Sequence, residues 1–352
     1  MRNLAAMCID RRFDSKLTSA CVHPSAVNLL PEATIMQSFL NIGVDVAKES
    51  VVVACAEQSF PVHSIANQRA ALLTWLKSLP GGSRIGLEST GGYHELLADL
   101  AHVQGHTVFL LNPLDTRHYA KAMGNRAKTD RVDAELIARL IAQEHARLRP
   151  YTPPTADQRR LDRLLKRRAK LTSIKGALKL TMRNLDGFAA ELGAVICKLE
   201  ALIAKIDDAV SAISARSPQY TETQQRLQTI VGVGPLVGTA LTNTLERISF
   251  RNADALVAFI GYDPRANDSG RKAGRRRLSK RGPGELRRLL FNAAMSAAKT
   301  KTWQPIYEHY RALGWSTTAS LVIIARKIAR AAWSIHHYRT TFSPERITKC
   351  LT

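Results

Sequence analysis

Two aspartates stand three residues apart in the stretch KTDRVDAELIARL, which runs from Lys128 to Leu140. Asp130 and Asp133 would project from one face of a helix, where their like charges repel each other unless a cation lies between them. Apolar side chains on the other side would anchor this helix to a core, and they are Val132, Leu136, Ile137, Leu140 and Ile141. A rigid helix that presents two carboxylates is a good support for a divalent metal ion.

Two further acids occupy positions suited to the same site. Asp45 lies within the apolar strand pattern NIGVDVAKE, where an aspartate is costly unless it faces a site. Glu88 ends the strand pattern RIGLE, at the edge where open α/β sheets bind ligands. Four carboxylates gathered there could hold two Mg²⁺ or Mn²⁺ ions, which would activate an attacking oxygen and stabilise a leaving oxygen in phosphodiester cleavage. Each acid taken singly is better explained as a surface charge or a helix cap, and only the four together, in this order and setting, favour a metal site.

A basic segment lies later in the chain, and a serine stands at its centre. Its candidate nucleic-acid-binding residues are Arg265, Arg271, Lys272, Arg275, Arg276, Arg277, Lys280 and Arg281. Ser269 could attack phosphorus while these arginines stabilise the developing charge. On chemistry alone NDSG is an ordinary turn, in which a serine is usually structural. Ser279 is a second candidate, although SKRGPGELRRLL reads better as the start of a helix.

The composition points to a polyanionic partner. The chain has 352 residues, with 51 Lys and Arg against 29 Asp and Glu, a net charge of +22. Such an excess most often serves nucleic-acid binding. The five cysteines form no CxxC pair, which argues against a zinc site and a disulfide framework and fits a cytoplasmic location. No apolar run is long enough for a membrane span.

Residues 39–148 alternate between strand and helix patterns. FLNIGVDVAKESVVVA predicts two strands joined by a turn, and SFPVHSIAN predicts a third. RIGLEST and HTVFLLNP predict buried strands, whereas RAALLTWLKSL and YHELLADLAHVQG have helical spacing. This order predicts an α/β domain around one sheet that begins with an antiparallel hairpin, unlike a doubly wound nucleotide-binding domain.

A proline-containing break at residues 149–155 precedes two helices with heptad spacing. The repeated positions are Leu164, Leu171, Leu178 and Leu185, then Leu192, Leu199, Ile206 and Ile213. The pattern fits an antiparallel helical hairpin or a dimerising coiled coil, and it fits two amphipathic helices on a globular domain equally well. The first helix is strongly basic, as expected of a solvated face or of a face that follows a phosphate backbone.

The remaining sequence is mostly helical in pattern. The glycines of IVGVGPLVGTAL make a poor dinucleotide fingerprint, and they fit either a helix-hairpin-helix turn that binds a DNA phosphate or a tight packing turn. We therefore predict an α/β plus all-α protein with four parts. These are a disordered leader at 1–38, an α/β domain at 39–148, a helical coiled-coil linker at 155–222 and a mostly helical domain at 224–345.

Several spaced motifs resemble one family. GVDVAKE, LESTGGY, LNP and KTDRVDA are similar to the N-terminal domain of the DEDD insertion-sequence transposases, the IS-one-ten (IS110) family. FIGYDPRANDSG and RRLSKRGPGELRRLLFNAA resemble the C-terminal domain of the same family. The resemblance implies a RuvC-like, RNase H-like fold for residues 39–148, with Asp45, Glu88, Asp130 and Asp133 as catalytic ligands of Mg²⁺ or Mn²⁺. It also implies that Ser269 is the catalytic nucleophile, linked transiently to a DNA phosphate.

The same resemblance implies partners. These are donor and target DNA, a guide RNA encoded by the element, and further copies of the chain, as a dimer and as a tetramer in the synaptic complex. The two halves of the active site would then come from different protomers. Two other functions remain open on the residues alone: a structure-selective nuclease that uses water as nucleophile, and a non-catalytic nucleic-acid-binding protein.

Overall fold

The computed structural model describes residues 39–89, 91–124, 129–265 and 276–345, so the expected leader at 1–38 lies outside the described residues. Five strands form a mixed sheet in the order β3–β2–β1–β4–β5. They are β1 (Asn41–Val46), β2 (Ser50–Cys55), β3 (His63–Ala66), β4 (Arg84–Glu88) and β5 (Thr107–Leu111). The first three strands pair antiparallel, whereas β1, β4 and β5 run parallel. The predicted single sheet that begins with an antiparallel hairpin is confirmed.

Helices cover both faces of this sheet. They are α1 (Arg69–Ser78), α2 (Glu95–Val103), α3 (Pro113–Ala122) and α4 (Asp130–Glu144). Side chains alternate between the faces of a strand, so Ile42 and Val44 point into the core with α1 and α2. Gly43 and Asp45 of the same strand therefore point to the opposite face, where α4 packs.

Two glycines allow α4 to approach the sheet closely. Gly43 and Gly86 pair with each other in the parallel register of β1 and β4. A Cβ atom at Gly43 would lie 2.1 Å from the carbonyl oxygen of Ala134 and 2.2 Å from the backbone nitrogen of Ala138. A Cβ atom at Gly86 would lie 2.3 Å from the side chain of Ile141. The helix backbone thus occupies space that any larger residue at Gly43 would need.

The two heptad-spaced segments form a helical hairpin within one chain. They are α5 (Ala156–Thr181) and α6 (Ala189–Ser214), which pack on each other. Ion pairs join them, one between Arg168 and Asp207 at 2.5 Å and one between Lys175 and Glu200 at 3.1 Å. On α6 the fully buried positions are Ile196, Ile203 and Val210, and the predicted positions Leu192, Leu199 and Ile206 are half-buried beside them. Both sets belong to one apolar seam with alternating three- and four-residue steps.

The helical C-terminal region has its own core around the fully buried Trp303. Its helices are α7 (Pro218–Gln228), α8 (Pro235–Arg247), α9 (Ala253–Ile260), α10 (Gly284–Ala297), α11 (Gln304–Ala312) and α12 (Thr317–Tyr338). Gly232, in the turn between α7 and α8, has a φ of 98° and faces α10, where its Cβ would lie 2.6 Å from that of Ala297. This contact favours the packing interpretation of the turn. None of the helices in the described ranges is long and apolar enough to cross a bilayer.

A polar cluster ties α5 to the α/β region. The Tyr151 hydroxyl donates to Asp99 on α2 at 2.8 Å, and the Arg159 guanidinium on α5 contacts the same carboxylate at 2.5 Å. Burial and the neighbouring Asp99 carboxylate raise the pKa of Tyr151 well above its usual value, so this hydroxyl stays protonated as a donor. The proline-containing break is therefore anchored to the sheet, which its sequence did not indicate.

Replacing Gly43 with alanine should destabilise the fold, because the new methyl group meets helix backbone and no flexible side chain can yield. We expect Gly43→Ala to lower the free energy of unfolding by about 3 kcal/mol, the upper part of the usual range for overpacking. Gly81→Ala is the matched control, because nothing lies within 4 Å of its Cβ position. Denaturant unfolding that gives equal stabilities for both variants would contradict the close approach of α4.

Candidate active site

Asp45 and Glu88 point to the same face of the sheet because each lies two residues beyond a paired glycine. Gly43 pairs with Gly86, and the next printed pair is Val44 with Leu87, so Asp45 and Glu88 follow at neighbouring positions. Both side chains are half-buried. They lie toward the carboxyl ends of two parallel strands, on the side covered by α4.

The first turn of α4 brings the two aspartates of the opening motif to this edge. Thr129 caps the helix, and its hydroxyl accepts a hydrogen bond from the backbone NH of Val132 at 3.3 Å. Asp130 is one turn before Ala134, and Ala134 and Ala138 flank Gly43. The helix thus runs opposite to β1 and starts beside Asp45. The predicted anchoring residues Leu136, Ile137, Leu140 and Ile141 are buried, and Val132 is half-buried.

The other three acids each lie close enough to Asp45 to raise its pKa. The pKa of Asp45 is raised from its usual 3.8 to about 6. Burial is the largest cause, followed by repulsion from Asp130, from Asp133 and from Glu88. A hydrogen bond from the backbone NH of Val46 acts in the opposite direction. Asp45 is therefore repelled by acids that are distant from it in sequence, although the chain as a whole is strongly basic.

The donor set fits a hard divalent cation in its chemistry, because carboxylate oxygens are the ligands that Mg²⁺ and Mn²⁺ prefer. Within the described ranges, however, no three His, Cys, Asp or Glu side chains are arranged to hold an ion as they stand. Like charges without a cation between them disfavour close approach. Binding would therefore require the carboxylates to turn toward one another. The N-terminal end of α4 stabilises the negative charge of Asp130 and Asp133 with or without a bound cation.

Glu88 has a neighbour that fixes its carboxylate. The hydroxyl of Thr116, in the first turn of α3, donates to Glu88 Oε1 at 3.0 Å. Thr116 is almost fully buried, and its hydroxyl also contacts the carbonyl oxygen of Pro113 at 3.1 Å. Such partners of a candidate ligand orient it for binding. Sequence reasoning missed Thr116, although its position four residues after Asn112 places it in the first turn of a predictable helix.

The serine and part of its basic segment lie outside the described residues. These are Ser269, Arg271, Lys272 and Arg275. The described flanks form a two-stranded ribbon of β6 (Pro264–Arg265) and β7 (Arg277–Leu278). Five predicted nucleic-acid-binding residues are exposed on or beside this ribbon, and they are Arg265, Arg276, Arg277, Lys280 and Arg281. Ser279 is buried, with its hydroxyl bonded to the Asp263 carboxylate, so it has a structural partner.

The end of the ribbon contacts the α/β region. The side-chain amide of Asn112 donates to the carbonyl oxygen of Arg281 at 2.8 Å. The Arg281 guanidinium forms an ion pair with Asp115 on α3. No local pattern predicts this contact, because its partners are more than 160 positions apart.

The basic face of α5 is partly occupied by ion pairs. Arg159 and Arg163 pair with acids of α2, and Arg168 pairs with Asp207 of α6. The exposed Arg160, Arg167 and Lys170 form no ion pair within the described ranges. These three cations are candidates for contact with a phosphate backbone, and that interpretation of the basic helix stays a prediction.

A mixed sheet with a shared acidic edge, joined to a helical region with a basic ribbon, defines a candidate phosphoryl-transfer enzyme that acts on nucleic acid. Residues 42–185 match the family described as DEDD transposase of IS110 type, and residues 224–311 match the one described as Transposase IS116/IS110/IS902 family. The chain belongs to the IS110 family of transposases and recombinases. It is accordingly a DNA transposase or recombinase.

Named relatives cover most of the chain. The pilin gene-inverting protein of Moraxella lacunata is 27% identical over 260 residues, which are 71% of this chain and 78% of the relative. The transposase for insertion sequence element IS1328 of Yersinia enterocolitica is 25% identical over 345 residues, covering 86% and 98% of the two chains. The transposase for insertion sequence element IS1111A of Coxiella burnetii is 27% identical over 348 residues, covering 87% and 92%.

The raised pKa of Asp45 predicts a stability cost in the metal-free protein. Its folded pKa lies above its unfolded value, so ionisation destabilises the fold, and the cost develops as the pH rises from about 4 to about 6. A shift of two units corresponds to about 3 kcal/mol. Partial exposure and screening reduce this to about 1 kcal/mol.

We therefore expect Asp45→Asn to raise the unfolding free energy of the metal-free protein at pH 7, and to have no effect at pH 3.5. The exposed Asp186→Asn is the matched control and should change neither value. Urea titrations at both pH values measure the difference. An Asp45→Asn variant that is less stable at pH 7 would contradict the repulsive acidic cluster.

Proposed function

We propose that this transposase cleaves and rejoins DNA strands with a metal-binding carboxylate set and a serine nucleophile. Asp45, Glu88, Asp130 and Asp133 are the proposed ligands of Mg²⁺ or Mn²⁺, and Ser269 is the proposed nucleophile. The observation that carries the proposal is the repulsion of Asp45 by the other three acids. Residues from two strands and one helix acquire this mutual electrostatic effect only if they meet in space.

We propose that the α/β region is an RNase H-like domain of the RuvC type. The strand order and the antiparallel start of the sheet support this assignment. The position of the acids supports it further, because they lie on the first strand, at the end of a central parallel strand and on the last helix that packs on the sheet. The proposed domain limits are 39–148, 155–222 and 224–345.

Bound divalent ions would neutralise phosphate charge and lower the energy of the transition state. Side chains of the protein supply the nucleophile and the contacts to the DNA backbone. The Ser269 hydroxyl loses its proton, its Oγ forms a bond to phosphorus, and the bond from phosphorus to the leaving oxygen breaks as that oxygen gains a proton. The phosphoserine ester keeps the energy of the broken bond for later strand joining. The arginines of the ribbon hold the phosphate backbone by bidentate contacts.

The proposed mechanism also implies nucleic-acid partners and an assembly of several chains. The DNA partners are donor and target strands, and the proposed guide is an RNA from the element itself. The proposed assembly is a dimer, with a tetramer at synapsis, in which a site can combine carboxylates and serine from different chains. The basic ribbon and the unpaired cations of α5 give surfaces suited to either nucleic acid.

A covalent adduct on a denaturing gel tests the proposal. Wild-type protein incubated with Mg²⁺ and element-end DNA should leave protein attached to DNA, and Ser269→Ala should abolish the attachment because the nucleophile is gone. The exposed Ser296→Ala is the matched control and should behave like wild type. Asp130→Ala should reduce adduct formation at least a hundredfold, in the range of other lost charge-stabilising groups.

Each of two experimental outcomes would reject this proposal and favour a different function. Cleaved DNA without an adduct, unaffected by Ser269→Ala, would indicate the water-dependent nuclease. Binding without any cleavage, unaffected by Asp130→Ala, would indicate a non-catalytic nucleic-acid-binding protein.

A further inference from the structure

The motif LNP, Leu111–Pro113, has no part in the chemistry proposed above, yet it lies between two functional regions. Leu111 ends β5 and pairs in the parallel register with Glu88. Pro113 begins α3. The motif and the first helical turn that follows it, residues 112–116, therefore stand beside a proposed metal ligand. We refer to these five residues as the α3 turn.

One end of the α3 turn contacts the carboxylate site. The Thr116 hydroxyl donates to Glu88 Oε1 at 3.0 Å. Burial of Thr116 shields this hydrogen bond from competing water. The bond restricts the orientation of the Glu88 carboxylate and leaves acceptor capacity on its oxygens. Any displacement of the α3 turn would consequently change the orientation of the Glu88 carboxylate.

The other end of the α3 turn contacts Arg281 through a hydrogen bond and an ion pair. Asn112 caps α3, because its Oδ1 accepts from the backbone NH of Leu114 at 3.0 Å, and its Nδ2 donates to the Arg281 carbonyl oxygen at 2.8 Å. Asp115 pairs with the Arg281 guanidinium. Asparagine suits this position because one side chain must both accept for the cap and donate to a carbonyl, whereas an ionised aspartate could only accept.

Arg281 itself is fixed to the helical region. The backbone NH of the neighbouring Lys280 donates to the carbonyl oxygen of Gly261 at 3.1 Å. The next residue, Gly282, packs so closely on Phe259 that a Cβ would lie 1.6 Å from that carbonyl oxygen. Arg287 bonds to the carbonyl oxygens of Ile260 and Gly282 at 2.8 and 2.6 Å. The chain at Arg281 is thus a rigid base for the ribbon of β6 and β7.

An open cleft of about 790 Å³ separates the two regions next to this contact. Asn112, Asp115 and His118 line one side, and Arg265, Ser279 and Arg281 line the other. Because the regions face each other across solvent here, the hydrogen bond and the ion pair to Arg281 bridge them at this edge of the cleft among the residues that the structure describes.

We propose that the α3 turn is a joint that holds the base of the ribbon in register with the carboxylate site, with Asn112, Asp115 and Thr116 as positioning residues. The inference rests on the function proposed above. A rigid connection of one helical turn links Glu88 to Arg281, and the ribbon carries the chain toward Ser269 in sequence. The joint sets the position of the ribbon base relative to the metal ligands, and the chain continues from that base toward Ser269.

Charge reversal tests the joint through Asp115 and Arg281. We expect Asp115→Arg and Arg281→Asp each to slow adduct formation with Mg²⁺ at least tenfold, because each places like charges in contact. The double variant Asp115→Arg/Arg281→Asp should return the rate to within threefold of wild type, since it restores the pair in reverse. The rescue shows that the two side chains act as a pair, and it would not occur if each residue acted separately.

The matched control is the exposed ion pair of Asp254 with Arg330, which joins α9 to α12 within the helical region. Asp254→Arg should stay within twofold of wild type. If Arg281 serves only to bind phosphate, Asp115→Arg adds a cation and will not slow the reaction, and the double variant will remain as slow as Arg281→Asp. Either of those results overturns the joint.

A second measurement separates this inference from the proposed function. The substitutions Asp115→Cys and Arg281→Cys are made together in a chain in which Cys8, Cys21, Cys197 and Cys350 are changed to serine. A short bismaleimide should join the two sites, and peptide mass spectrometry should recover the linked pair. Absence of the link overturns the joint even if the serine adduct forms. A link in this variant, together with no adduct from the wild-type protein, supports the contact and rejects the proposed chemistry.

Discussion

The close contact of α4 with the sheet is the constraint on which the acidic site depends. Gly43 and Gly86 are paired on neighbouring parallel strands, and the helix backbone fills the space above Gly43 that a side chain would take. Two residues farther along each strand stand Asp45 and Glu88, and one turn earlier along the helix stands Asp130. The backbone contact therefore determines which acids meet, and the apolar face of α4 holds it in place.

The resulting cluster of acids lowers the stability of the metal-free fold. Asp45 is half-buried and repelled by three carboxylates, which is why its pKa rises. Among the arginines of the chain, Arg159, Arg163 and Arg168 pair with acids away from this cluster. A half-buried aspartate that is repelled by like charges breaks a local rule of stability, and such positions are typical of functional sites.

Much of the fold could be predicted from the sequence, because hydrophobic periodicity and turn residues fix local structure. The five strands, the helices of KTDRVDA and RAALLTWLKSL, and the heptad hairpin follow from such patterns. The acids were predictable from residue type and from resemblance. Thr116 and the contact of Asn112 with Arg281 were not, because a single polar residue carries no periodic signal and its partner lies far away in sequence. The role of Gly43 likewise depends on a helix more than 90 positions away, which no local pattern reveals.

Anomalous diffraction from crystals grown with Mn²⁺ would locate bound cations independently of activity. We expect one or two manganese peaks in contact with carboxylate oxygens of Asp45, Glu88, Asp130 and Asp133, since hard oxygen ligands are what this ion prefers. Peaks found only elsewhere on the protein, with the four side chains still turned apart at saturating Mn²⁺, would contradict the proposed metal site.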